Sequence, residues 1–397
     1  MRVALIHYWL TSDRGGEKVL RALCDLFPQA DIFTHVYDDD FVNKRFPGHK
    51  IKTTFIGSLP FAKKRYQFYL PLMPMALEEL DLSEYDLVIS SESGPAKGVI
   101  ASPGAYHVCY CHSPMRYVWD QYSVYKSQAS PLKRAVMPML ASSLRQWDYA
   151  SAARVDTFVA NSNLVAQRIG KYYRRDATVV HPPVNVDLFD PAVHGLKDDD
   201  LSDTYLWAGQ LVPYKRPDIA VKAFTQMGKK LLVIGTGEEE RRLRAMAGPT
   251  VKFAGHVSLE ELQTAYASCK ALIFPGLEDF GIVPVEAMAS GTPVIALGAG
   301  GALDTVVDGK TGVLFPSATI DHLVDAIERF EREAGGFNKE TISIHAKRFA
   351  APSFKSNFMA AIESGLSKAR PGNPPTDWWT RDNAGSSRRP AQVEMGY

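Results

Sequence analysis

Short apolar runs rich in β-branched residues alternate along most of this chain with stretches of helical period. Val3–Ile6, Leu87–Ile89, Val108–Cys111, Thr157–Ala160 and Thr178–Val180 read as strands in the first half. Tyr205–Ala208, Leu231–Ile234, Val251–Ala254, Ala271–Phe274, Pro293–Ala296 and Val313–Phe315 read as strands in the second. Between them, Val19, Leu20, Leu23 and Phe27 share one helical face, and so do Ile320, Leu323, Ile327 and Phe330. Strands separated by helices predict βαβ units and mostly parallel, doubly wound sheets, an α/β fold. Ser258-Leu259-Glu260-Glu261 has the form of a capping box. Gly291 reads as a helix stop after Ala287-Met288-Ala289-Ser290.

The pattern breaks between about residues 182 and 203, where Pro182-Pro183 opens a stretch that ends near Asp198-Asp199-Asp200. This predicts two Rossmann-like halves, 1–185 and 200–350, joined by a hinge. A helix over about 352–367 is expected to return to the first half. From residue 371 the chain is rich in Pro, Gly, Ser and charge, and 371–397 reads as a disordered tail with Trp378-Trp379 its one apolar feature.

Composition narrows the function classes. The chain has 397 residues, with 45 Lys+Arg against 44 Asp+Glu and a formal net charge of +1. A dedicated nucleic-acid binder carries a strong basic excess, so that class is excluded, while a local basic pocket for one phosphorylated ligand is not. Four cysteines in so long a chain are no disulfide framework and point to a reducing cytoplasm. The N-terminal apolar run is too short for a signal peptide and leads directly into a Gly-rich turn. No window of about 18 uninterrupted apolar residues exists, so any membrane contact is expected to be peripheral.

The most informative segment follows the strand at 271–274: Pro275-Gly276-Leu277-Glu278-Asp279-Phe280-Gly281-Ile282-Val283-Pro284-Val285-Glu286. Pro284 suits the first helical position, so a helix is expected to start near Val283. Its free N–H groups and positive dipole end favour a phosphate nearby. Glu278 in the loop and Glu286 in the early helix are each able to accept two hydrogen bonds from a vicinal diol. Taken alone, such a glutamate pair is more often two solvated acids.

The segment closely resembles the Glu-x7-Glu signature of retaining glycosyltransferases of family 4, which have the GT-B fold. Phe280-Gly281, Pro284, Glu286-Ala287, Gly291-Thr292-Pro293-Val294-Ile295 and Gly309-x-Thr311-Gly312 match as well. So do Asn161-Ser162, Val180-His181-Pro182-Pro183-Val184, the loop Gly209-Gln210-Leu211-Val212-Pro213-Tyr214-Lys215-Arg216-Pro217, Gly235-x-Gly237 and Phe253-x-Gly255. The resemblance covers about residues 1–365. It implies that Glu286 meets the nucleotide ribose and Glu278 the donor sugar. It places the backbone of Phe280, Gly281, Ile282 and Val283 near sugar and pyrophosphate, and Gly235 and Gly237 in the donor site. It sets Lys215 against the pyrophosphate and the backbone of Val257 against the base. Gln210 stands where the family usually has Arg, so either Arg216 or another cation compensates, or the phosphate is held differently.

In the first half, Gly15-Gly16 follows the first strand ahead of a helix expected near Glu17. The spacing is not G-x-G-x-x-G, so a nicotinamide dehydrogenase is disfavoured. By resemblance these glycines face the donor at an interdomain cleft. His107-Val108-Cys109-Tyr110-Cys111-His112 looks like a metal site, but a second ligand pair is missing, and the cysteines read as buried thiols. His112 ends its strand at a Ser-Pro turn, and the family carries a functional histidine there, near the transferred sugar. Arg116 and Tyr117 follow in a run, Cys-His-Ser-Pro-Met-Arg-Tyr-Val-Trp-Asp, that resembles a subgroup of bacterial polysaccharide-assembly mannosyltransferases. They are assigned to the acceptor side.

Lys63, Lys64 and Arg65 precede an aromatic and apolar run through Met75, a pattern suited to anionic lipid. The triplets at 38–40 and 198–200 read as solvated loop acids, so no metal is expected. The resemblance therefore implies a retaining hexosyltransferase without metal or other cofactor. Its co-substrate is a nucleotide-diphosphate sugar, by subgroup GDP-mannose, and its acceptor a lipid-linked or soluble glycan in surface polysaccharide assembly. UDP-hexose donors, a nucleotide-sugar 2-epimerase and a non-catalytic sugar-nucleotide sensor are the alternatives.

Overall fold

A computed structural model describes residues 1–190 and 201–369. The proposed tail at 371–397 and the second acidic triplet lie outside them. Each half of the chain forms its own parallel sheet. The first is built from β1 (Val3–His7), β2 (Asp31–Thr34), β3 (Ile51–Thr53), β4 (Leu87–Glu92), β5 (Tyr106–Cys111), β6 (Thr157–Ala160) and β7 (Ala177–Val179), in the order β3-β2-β1-β4-β5-β6-β7. The second is built from β8 (Tyr205–Ala208), β9 (Leu231–Ile234), β10 (Val251–Gly255), β11 (Leu272–Phe274), β12 (Val294–Leu297) and β13 (Gly312–Phe315), in the order β10-β9-β8-β11-β12-β13. In both, the winding reverses between the first strand and the fourth, β1 and β4 or β8 and β11. At such a switch point the loops leaving the strands' carboxyl ends part into a crevice.

The central strands are covered on both faces and therefore read as apolar runs. Strand β2 and the edge strand β3 do not stand out in the pattern: both are short, and β3 is only part-buried. β4 runs on through Ser90, Ser91 and Glu92, which look unlike a strand yet are fully buried. Each has a dedicated partner: Ser90 meets His107 at 2.9 Å, Ser91 meets His112 at 2.8 Å, and Glu92 accepts from the Lys97 ammonium at 3.0 Å. Lys97 also pairs with Asp148, which accepts from Trp119 Nε1 at 2.7 Å and from the Tyr173 hydroxyl at 2.9 Å. Burial, with Asp148 nearby, pushes the Glu92 carboxyl up to about 7 against the pull of Lys97. Two carboxylates facing one ammonium leave an excess negative charge in the core, and that excess adds to the upward push on Glu92. This cluster fixes the end of β4 beside the end of β5, where His112 follows.

The last helix, Ala351–Ala369, leaves the second domain and packs on the first sheet. Phe354, Phe358, Ile362 and Leu366 join Val19, Leu20, Leu23 and Phe27 in one core. The Tyr110 ring meets Phe354 and Phe358 edge-on, with centroids 5.6 and 6.1 Å away. Where the chain crosses back, Val184 N donates to Phe349 O at 2.8 Å and Val184 bridges Ala350. The two interdomain connections thus run side by side.

Candidate functional site

On the second-domain side, β8 leads into the loop carrying Lys215, and β11 into the loop carrying Glu278. Gly276 lets these loops touch, because a Cβ there would fall 2.7 Å from Lys215 Cα. The helix starts at Ile282, a residue earlier than expected, with Gly281 as its N-cap at φ +84°, a left-handed turn that suits glycine. Pro284 sits in the first turn, where its missing N–H leaves no helical bond unmade. Lys215 Nζ lies 2.7 Å from Glu278 Oε1, and both side chains are largely buried. Burial alone would lower the ammonium's pKa, but Glu278, with Glu286 farther off, raises it above the ordinary lysine value. Lys215 is therefore a firm cation beside a helix start.

On the first-domain side, Gly15 and Gly16 form the first turn of the helix Gly15–Leu26, so the helix begins before Glu17. Beneath that turn, His7 Nε2 lies 3.7 Å from Glu17 Oε1, and Glu17 Oε2 accepts from Arg14 N at 2.9 Å. His112 is held by Ser91 at its Nε2, and its carbonyl accepts from Asn161 Nδ2 at 2.9 Å. Burial, helped by His7, pushes the His112 imidazole down to about 3, so it is neutral at physiological pH.

The two sides enclose one cavity of about 370 Å³. Of the residues singled out in the sequence, Gly15, Gly16, His112, Arg116, Lys215, Glu278, Phe280, Gly281, Ile282 and Val283 line it. Tyr8, Ser93, Tyr214 and Asp279 line it too and were missed; Asp279 had only its position beside Glu278 to mark it. Asp279 bridges the cleft. It pairs with Arg168 from the helix Asn163–Tyr173, and Arg116 Nη1 stands 3.7 Å from it. Arg168 is steadied from behind by Asp120 at 2.8 Å. Asn163 N donates to Asp304 at 2.9 Å, and His181 stacks on Phe280 with centroids 5.5 Å apart.

Several expected residues stand elsewhere. Glu286 is not in the cavity wall but nearly buried behind it; its Oε1 is 3.6 Å from Lys18 Nζ of the first domain, and burial raises its pKa against the pull of that ammonium. Gln210 is exposed and outside the lining. Arg216 also lies outside the lining, with its Nε donating to Asp218 at 3.0 Å. Gly235 and Gly237 have a packing role, because a Cβ on either would collide with the carbonyl of Gly209 or Leu211. Val257 packs against the second domain's core. Tyr117 turns away from the cavity, its hydroxyl 2.9 Å from Met115 Sδ. Lys63 is paired with Asp39 at 2.5 Å, whereas Lys64 and Arg65 are exposed. Asp38 caps the helix Asp39–Arg45 by accepting from Phe41 N at 2.9 Å. Cys109 and Cys111 are buried free thiols, and among the described residues no three His, Cys, Asp or Glu side chains gather as a metal site.

Two family models divide the chain along the line between its sheets. Residues 14–188 match Glycosyltransferase Family 4, and residues 192–347 match Glycosyl transferases group 1. Each half of the chain thus matches a glycosyltransferase domain model. Similar proteins include the D-inositol 3-phosphate glycosyltransferase of Mycobacteroides abscessus, 29% identical over 250 residues, covering 57% of this chain and 56% of that one. The Streptomyces avermitilis protein of the same name is 33% identical over 193 residues, or 41% of each chain. The chain thus spans about half the length of the curated relatives it matches. Among solved structures, Anabaena HepE in complex with UDP superposes with a TM-score of 0.67 at 15% identity, covering 92% of this chain and 100% of that one. Sucrose-phosphate synthase from Thermosynechococcus elongatus gives 0.67 at 20% identity, covering 93% and 100%. These two share the fold, so the glycosyltransferase domains are set in the GT-B arrangement of two Rossmann-like units across a cleft.

Proposed function

We propose that the protein is a retaining glycosyltransferase that moves mannose from GDP-mannose to a lipid-linked oligosaccharide at the cytoplasmic face of a membrane. The observation that carries the transferase reading is the Lys215–Glu278 pair at a helix start, facing neutral His112 across one cavity. As the glycosidic bond breaks, charge builds on the departing diphosphate. Lys215 and the free N–H groups at Ile282 and Val283 meet that charge without a metal. Glu278 accepts hydrogen bonds from sugar hydroxyls, and His112 holds the sugar from the opposite wall.

Retention rests on the likeness of the 278–286 segment to retaining glycosyltransferases of family 4. The carboxylates of the cavity wall are Glu278, committed to Lys215, and Asp279, committed to Arg168. With the configuration retained and neither carboxylate free to attack the anomeric carbon, departure and attack on the same face are favoured over a covalent intermediate, with the leaving phosphate taking the acceptor's proton. The mannose and lipid parts rest on the likeness of the 111–120 segment to polysaccharide-assembly enzymes.

A UDP-hexose donor and a sugar-phosphate acceptor form the second reading. It is favoured by the relatives named for D-inositol 3-phosphate and by HepE's UDP. A thermal-shift screen over GDP-, UDP- and ADP-sugars separates the two, since a bound ligand raises the melting temperature. GDP-mannose should give the largest rise, UDP-sugars prevailing would select the second reading, and no rise with any nucleotide would refute both. Glu286→Ala should chiefly raise the donor KM, and His112→Ala should chiefly lower kcat.

A further inference from the structure

The helix Pro131–Ala152 is two different surfaces joined end to end. Its second half is seated in the first domain through Ala141, Leu144, Asp148, Ser151 and Ala152. Its first half stands out from the domain, although eight of the ten residues 131–140 are apolar or proline. Leu132 is 78% exposed and Met139 75%, with Val136 also exposed. Helical amphipathicity normally turns such residues inward, so this half-helix is built to meet something apolar outside the chain.

A second segment stands beside it. Phe61 and Phe68 are 74% and 67% exposed, and Leu72 and Met75 are exposed as well. Between the two segments runs a groove of about 490 Å³, walled by Phe68, Leu70 and Pro71 on one side and Tyr125, Val136 and Leu140 on the other. The charges in both segments have one sign. Residues 61–77 hold Lys63, Lys64 and Arg65 and no acid; residues 121–147 hold Lys126, Lys133, Arg134 and Arg145 and no acid. Lys133 leans over the Phe68 ring, its Nζ 5.5 Å from the centroid, so cation and apolar surface are intermixed.

We infer that residues 61–75 and 122–140 form one face that docks on an anionic bilayer, with the exposed apolar side chains entering the headgroup region and the cations meeting lipid phosphates. A second copy of this chain docking through the same face would set like charges against one another, with Asp39 already taken by Lys63. The inference deepens the membrane part of the proposed function and rests on it only for its purpose. Its test therefore uses neither donor nor acceptor.

The full chain is mixed with vesicles of phosphatidylcholine alone, or with 30% phosphatidylglycerol, and bound protein is read by co-sedimentation at low and high salt. Binding to the anionic vesicles should exceed that to neutral ones at least tenfold and weaken with salt. Each of Lys64→Glu and Lys133→Glu should lower affinity by at least fivefold, the equivalent of about 1 kcal/mol per cation. Leu132→Ser with Met139→Ser, which leaves the charge unchanged, should lower it at least tenfold, because both side chains lose apolar area on the bilayer. These positions are exposed, so melting temperatures should hold, and binding is compared only among variants that melt as the parent does. Equal binding to both vesicle types, unchanged affinity in the serine pair, or a concentration-dependent dimer that the serine pair abolishes would overturn the inference.

Discussion

Replacing Lys215 by Met keeps most of the side chain's volume and removes its charge. Lys215 Nζ sits 2.7 Å from Glu278 Oε1 in a largely buried pair. A diphosphate oxygen about 4 Å from that ammonium, at an effective dielectric of about 20, interacts by about 4 kcal/mol per unit charge. The charge grows by a full unit as the bond to the sugar breaks, so much of this energy belongs to the transition state. At about 1.4 kcal/mol per decade, kcat should fall by about 10² to 10³. The assay is initial-rate release of nucleoside diphosphate at saturating donor and acceptor. Glu278 loses its counter-ion in this variant, which by itself lowers stability. Lys215→Met combined with Glu278→Gln separates the two effects. The double variant should recover the melting temperature and not kcat. A single variant with kcat within threefold of the parent, or a double variant that regains kcat, would refute the assignment of Lys215 to the leaving group.

Other outcomes follow from groups around the cavity. Lys97→Met leaves Glu92 and Asp148 buried without their ammonium and should destabilise by about 3–5 kcal/mol in urea melts. The penalty should widen from pH 5 to pH 8, because unpaired buried carboxyls tolerate low pH better; a gap independent of pH would count against the cluster's charge state. Burial lowers His35 and His107 to about 4 and His112 to about 3. The unfolded chain therefore binds more protons than the folded one below about pH 6.5, and stability should drop as pH falls through that range. Equal urea midpoints at pH 7 and pH 5 would contradict this. Because His112 stays neutral, His112→Gln should lower the height of the pH–rate profile without moving a limb near pH 6.5. Arg168→Ala should raise the donor KM and lower kcat by roughly tenfold each, and Arg168→Lys, which keeps a cation against Asp279 and Asp120, should retain part of both.

The central strands, the capping box at Ser258 and Glu261, and the Lys215–Glu278 loops were legible because each is written in local pattern. What escaped was decided by partners distant in the chain. Ser90, Ser91 and Glu92 are polar, yet they end a strand because His107, His112 and Lys97 satisfy them. Glu286 is the fifth residue after the cap of an expected phosphate-binding helix, and nothing nearby shows that Lys18 of the other domain stands against it. Asp279 has its partner, Arg168, 111 positions earlier in the chain. The same blindness hid residues 131–140. Their apolar composition would pass for core, and only the fold shows them standing outside.

The return of the helix Ala351–Ala369 to the first domain gives residues beyond the second domain an unexpected jurisdiction. A premature stop before Ala351 would spare nearly all of the second domain and strip Phe354, Phe358, Ile362 and Leu366 from the first. The damage would therefore appear in the half synthesised earliest. During translation the first domain waits for residues made after the second domain, with its apolar face uncovered while the second folds. Because Val184 and Ala350 cross together, opening the cleft cannot be free rotation about one thread; it must bend two hydrogen-bonded segments as a single leaf hinge.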